Sequence, residues 1–170
     1  PEGEYQFDEP FIMSYSVAAL ERMILAWGLG AYCFDRYKKA DRLPAQLVVP
    51  KSLDFKKIAA KLYAMTQIRN LINTPAEHLS PEHLCTEAKS LAQQFSGDAK
   101  FYKNEELLQH HFPAIYAVGR ASHTPPCFLD MTFGRSHLPK LTLVGKGVCF
   151  DSGGLDLKSS SHMLLMKSKH

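Results

Sequence analysis

Apolar side chains recur at helical spacing from Ser14 to about Tyr37, where Val17, Leu20, Ile24, Trp27 and Ala31 fall near one face. Gly28 and Gly30 weaken that helix and permit a neighbour to pack closely. The first dozen residues carry no such period and read as an irregular lead-in. The polar break KKADRLPAQ is followed by LVVP, a short strand closed by Pro50. A second helix is expected from about Leu53 to Leu71, with Phe55, Ile58, Leu62, Met65 and either Ile68 or Ile72 as its apolar face. Asn73-Thr74-Pro75 ends it, because proline disfavours helical geometry in the residue before it. Ser80-Pro81-Glu82 opens a third helix with a serine cap, proline in the first turn and an acid beside it. Leu84, Ala88, Leu91 and Phe95 are its expected buried side, and Gly97 its end.

Beyond Gly97 the pattern turns strand-rich. AKFYK, AIYAVGR, PCFLDMTF and KLTLVG read as strands, and NEELLQHH as a short helix between the first two. The loop GRSHLP would suit a hairpin between PCFLDMTF and KLTLVG. The expected fold class is α/β, a mixed sheet flanked by helices and still incomplete at the last residues.

Composition narrows the class without naming a function. With 170 residues, 45% hydrophobic and 22% charged, the chain is ordinary for a globular protein of about one domain. Its net charge of +3 is small and its basic residues are dispersed, which argues against nucleic acid. Cys33, Cys85, Cys127 and Cys149 show no C-x-x-C spacing and read as free thiols, with neither a zinc knuckle nor a disulfide framework. The opening PEGEYQFDEP is acidic and unlike a secretory leader. No apolar run reaches the roughly 18 residues of a membrane span. A cytoplasmic location is expected.

The chemistry concentrates in VGKGVCFDSGGLDLK, residues 144–158. Its glycines suggest a phosphate loop, but neither G-x-x-x-x-G-K-[ST] nor G-x-G-x-x-G is present. Lys146 follows an apolar stretch, at the sheet edge where α/β proteins place ligands. Asp151, in a glycine-rich loop, is a carboxylate suited to a hard divalent ion. Lysine ligates only as the neutral amine, which a neighbouring cation must favour. A surface ion pair is the plain alternative for Lys146 and Asp151.

LVGKGVCFDSGGLDLK, followed by Met163 and Met166-Lys167, resembles the signature of the leucyl aminopeptidase family of two-metal exopeptidases. RNLINTPAEHLSPEHL resembles the family's entry into the catalytic domain, and AVGRASHTPPCFLDMTF the strand-loop-strand before the signature. The resemblance implies two divalent ions, manganese or zinc with magnesium a further candidate. It implies Lys146 and Asp151 as metal ligands, Asp151 bridging both ions. Lys158 would polarise the scissile carbonyl and stabilise the oxyanion, and Met166 would line the substrate pocket. Two ions so placed activate a bridging water, and binding of the substrate's amine restricts cleavage to peptide amino termini. The family also implies a hexamer acting on peptides, with no membrane.

The same resemblance implies an organisation of residues 1–50 as the remnant of an amino-terminal α/β domain, 51–75 as a linking helix and 76–170 as the first part of the catalytic domain. It also marks departures. Lys169 stands where the family's M-K-x-D-M-G-G has a ligand aspartate, and N-T-D-A-E-G-R is absent. No acidic residue follows Asp156, which itself reads as loop polarity, as His162 and His170 read as ordinary histidines. A reading-frame change near Lys167 would produce this divergence. The expectation is a metallo-aminopeptidase by family whose isolated 170-residue chain is inactive. The alternative is a truncated, non-catalytic homologue acting only as an oligomer or interaction partner.

Overall fold

The computed structural model describes residues 3–41, 43–164 and 166. The chain divides into two compact units, Pro1–Asn73 and Thr74–His170.

The first unit packs three helices with a minimal parallel sheet. Strands β1 (Glu4–Tyr5) and β2 (Gln46–Leu47) pair Glu4 with Gln46 and Tyr5 with Leu47. Helix α1 (Glu9–Ser14) stands where an irregular lead-in was expected. Asp8 explains it: its carboxylate accepts the Phe11 N–H at 2.9 Å, and Pro10 fits the first turn. Ser16 caps α2 (Val17–Gly30), and α3 runs Phe55–Asn73, stopping before Pro75 as the sequence predicts.

Leu20 and Ile24 of α2 meet Leu53 and Ile58 in the core, with Phe11, Leu47 and Leu62 packed around them. Val17, Phe55, Met65 and Ile68 are exposed, so the apolar faces of both helices are narrower than their periodicity suggests. A side chain at Gly28 would meet the Leu62 methyls at 2.6 Å, so glycine there lets α2 and α3 approach. Trp27 donates its indole N–H to the Ala45 carbonyl at 3.2 Å. Arg69 donates to the Leu29 carbonyl at 2.7 Å, satisfying one of the orphaned carbonyls at the end of α2.

In the second unit, Ser80 caps α4 (Pro81–Gln94) reciprocally with His83: the serine hydroxyl accepts the His83 N–H, and the imidazole accepts the Ser80 N–H. The buried side of α4 differs from expectation. Ala92 is fully buried, with Leu84, Cys85 and Ala88 half-buried, whereas Leu91 and Phe95 are exposed. Small side chains at 88 and 92 let the helix lie close to its sheet, and Phe95 already lies beyond the last turn. That sheet is an antiparallel pair, β3 (Asp98–Lys103) with β4 (Cys127–Thr132), in register from Asp98↔Thr132 to Lys103↔Cys127.

Between the strands lie α5 (Glu106–Gln109) and α6 (Pro113–Gly119). AIYAVGR, read as a strand, is therefore helical. Pro113 presets the first turn, the alanines favour helix, and the segment packs against α5 and β4 without joining the ladder. Phe112 stacks on Phe128 of β4 with ring centroids 4.2 Å apart.

KLTLVG is not a strand either, and its hairpin with PCFLDMTF does not form. Instead β4 takes β3 as its partner. Leu143 is 86% exposed and Val144 94%, and no ladder reaches them among the described residues. An apolar pattern alone supplies no partner for backbone N–H and C=O groups. The last described helix is α7 (Ser160–Leu164). No described helix is long and apolar enough to cross a membrane.

Three of the four thiols gather in this unit. Cys85 of α4 and Cys127 of β4 are in side-chain contact, and Cys149 is near enough to Cys85 to act on its charge. Burial is the main cause that pushes all three upward, Cys127 to about 12. Cys33 is exposed on the other unit.

Two outcomes follow from this packing. Ile58→Ala and Leu107→Ala, at residues 1% and 0% exposed, should each lower the stability of their own unit by about 2–5 kcal/mol in denaturant unfolding. Iodoacetamide at pH 8 should label Cys33 well before Cys85, Cys127 and Cys149, as peptide mass spectrometry would show, because the buried thiols hold little thiolate. The same raised values mean that the folded state keeps protons which the unfolded state has lost. Their contribution is therefore present below about pH 9 and falls as pH rises towards 12.

Candidate functional site

Residues 140–150 form neither helix nor strand. A side chain at Gly147 would come within 3.2 Å of Leu84 on α4, so the segment passes close to that helix. Cys149 is half-buried there and Lys146 exposed. Lys146 enters none of the contacts that engage Asp151.

Asp151 opens a compact loop that closes on itself at Lys158. Its Oδ1 accepts the Gly153 N–H at 2.9 Å, a local turn of the kind short acids favour. Its Oδ2 pairs with the Lys158 ammonium at 2.5 Å. The same ammonium donates to the Asp151 carbonyl at 3.2 Å, and the Lys158 N–H donates to the Ser152 carbonyl at 2.9 Å. Gly153 (φ +96°) and Gly154 (φ +74°) adopt left-handed backbone that L side chains rarely tolerate. A side chain at Gly153 would also collide with the Asp156 carbonyl. The loop therefore needs glycine at 153 and favours it at 154.

Of the predicted site residues, Asp151 and Lys158 meet, while Lys146 stands apart from that contact. Met166 is 9% exposed and buried within its own unit. Asp156 is exposed on the loop, and the imidazole of His162 contacts the Ser159 hydroxyl at 3.1 Å on α7. Lys169 and His170 lie outside the described residues.

This donor set does not fit a pair of divalent ions as it stands. Two hard cations need on the order of ten oxygen or nitrogen contacts. Asp151 is the one carboxylate at the predicted site, and its oxygens already face an ammonium and an amide. Among the described residues, no three His, Cys, Asp or Glu side chains converge on a point that could hold a metal. Sequence reasoning had placed Asp151 and Lys158 in separate roles and missed their pairing. The signal was available: two glycines and a lysine seven residues on allow a closed loop.

The chain resembles proteins of one kind throughout. Residues 66–170 match the cytosol aminopeptidase family, catalytic domain, and residues 1–50 the M17 aminopeptidase N-terminal domain. A probable cytosol aminopeptidase of Aquifex aeolicus is 37% identical over 147 residues, 82% of this chain and 30% of the relative. The crystal structure of a cytosol aminopeptidase from Coxiella burnetii superposes with a TM-score of 0.89 at 43% identity, over 98% of this chain and 36% of that one. The bottromycin maturation enzyme BotP, solved in complex with Mn, superposes at 0.66 with 31% identity, over 85% of this chain and 31% of its own. The chain thus spans about a third of the length of the relatives it matches. With both family domains matched in order and a fold shared over nearly its whole length, this α/β chain belongs to the cytosol aminopeptidase family.

Proposed function

We propose that these residues supply one part of a metal-dependent aminopeptidase centre that removes amino-terminal residues, leucine-type, from peptides in the cytoplasm. The observation that supports it is the signature loop. Lys146, Asp151 and Lys158 stand at the family's motif positions, on a chain matching its catalytic domain. In this reading Lys146 and Asp151 are ligands, and Lys158 carries the positive charge that would face a carbonyl oxygen as it becomes an oxyanion. Met166 borders the pocket for the substrate's first side chain. The cofactor would be divalent, manganese or zinc, with magnesium a further candidate. A relative solved with Mn supports the first of these.

The 170-residue chain alone does not turn over substrate in this reading, because one carboxylate cannot hold two cations. A water activated by two ions would require further carboxylates beyond Asp151. The partners are peptide substrates and further copies in a homo-oligomer such as a hexamer, with no role for membranes or nucleic acid. A second reading, a non-catalytic partner in an assembly, draws on the exposed apolar run Leu141, Leu143 and Val144.

Leucine p-nitroanilide with added manganese tests both parts of the reading. The purified chain should give no metal-dependent turnover above background. Residues 1–166 joined to the segment of the Coxiella burnetii relative that follows the matched region should be active. Lys158→Ala in that fusion should lower kcat by about 10²–10³-fold, as loss of an oxyanion partner does. A folded fusion without activity, or one indifferent to Lys158, contradicts the assignment.

A further inference from the structure

We propose that Cys85 and Cys127 are a redox-sensitive pair. A low-molecular-weight disulfide of the glutathione class oxidises them to one cystine, which staples α4 to β4 and leaves Cys149 a thiol. The proposal concerns the scaffold of the second unit and does not depend on the aminopeptidase reading.

The fold brings the two thiols together by three routes. Helix α4 packs on both β3 and β4. Cys127 opens β4 opposite Lys103, the last residue of β3. The Lys103 ammonium in turn reaches the Glu82 carboxylate, in the first turn of α4, at 3.0 Å. Cys85 lies three residues after Glu82, on the same face of the helix. An ion pair, a ladder pair and one helical turn therefore direct Cys85 at Cys127, and the two side chains are in contact. Both are half-buried, so a small reagent can reach them. Cys149 acts on Cys85 through its charge, without the contact that Cys127 makes.

The chemistry balances in two exchanges. The Cys85 thiolate attacks one sulfur of the small disulfide, forming a mixed disulfide and releasing the other half as a thiolate. Cys127 then attacks the Cys85 sulfur and expels the second half, and the two protons of the protein thiols end on the released thiolates. The protein pair has lost two electrons, and the small disulfide has gained them. Burial raises the Cys85 thiol and contact with Cys127 opposes that rise, which makes Cys85 the first attacker. Burial, and next the Cys85 charge, push Cys127 up to about 12. A capped Cys85 carries no charge, so that second cause is gone when Cys127 must react. Excess thiol reverses both steps, and the staple follows the redox state around it. Its closed loop holds β3, α5 and α6, and restrains the unfolded chain.

Peptide mapping without reduction reads the pairing directly. The full 170-residue chain is reduced, held folded in millimolar oxidised glutathione, and quenched with N-ethylmaleimide. The peptides carrying Cys85 and Cys127 should be joined, while Cys33 and Cys149 carry glutathione or maleimide. In urea the same oxidation should favour Cys127 with Cys149, which are nearer in sequence and close the shorter loop. The share of the Cys85–Cys127 link should fall by about threefold or more on unfolding. Cys149→Ser should keep the link, and Cys127→Ser should leave Cys85 as a glutathione adduct, with circular dichroism checking that each variant folds. The parent chain's map decides the pairing even where a variant does not fold. The linked chain should also unfold at a higher urea concentration than the same chain with dithiothreitol. Glutathione adducts alone, a folded chain linked through Cys149, or the same pairing folded and unfolded overturns the redox pair. A link that leaves the unfolding midpoint unchanged overturns the staple.

Discussion

Pairing of backbone peptide groups is the constraint from which the second unit takes its form. Six residue pairs join β3 to β4, and α4 covers them with small side chains at 88 and 92. Where that ladder exists, Leu107 is fully buried and Phe112 stacks on Phe128. Where it is lacking, at residues 140–145, a sequence as apolar as any strand lies open to solvent. An extended segment needs its N–H and C=O groups met as well as its side chains buried. The predicted catalytic loop is tethered to that open segment, so its geometry is set locally.

Local electrostatics then fill the gap. Asp151 carries a charge at a place where its family resemblance calls for a doubly charged cation. In this chain the compensating charge comes from seven residues away, on a loop shaped by two glycines. The pair is partly exposed, and such pairs contribute up to about 1 kcal/mol. That is enough to shape a short loop locally.

Much of this was legible in the sequence, and the failures have identifiable causes. Ser80-Pro81-Glu82 and Asn73-Thr74-Pro75 marked helix boundaries because capping and proline geometry act within a few residues. The signature stretch carried the family for the same reason, since its meaning lies in its order of residues. AIYAVGR was misread because its apolar run suits strand or helix equally, and only Pro113 arbitrates. Leu91 and Phe95 fell on the wrong side of α4 because the sheet beneath prefers small residues there. The hairpin through GRSHLP failed because strand pairing is a choice between distant segments, and β3 is the partner chosen. The Asp151–Lys158 contact depended on left-handed backbone at Gly153 and Gly154, which composition permits and does not dictate.

In the proposed reading, these 170 residues carry one part of a two-cation centre and do not hold two ions alone. Metal stoichiometry tests that claim most directly. Equilibrium dialysis of the tag-free chain against micromolar manganese or zinc, followed by elemental analysis, should find fewer than one ion per chain. Two ions retained per chain, both lost together in Asp151→Asn, would contradict it.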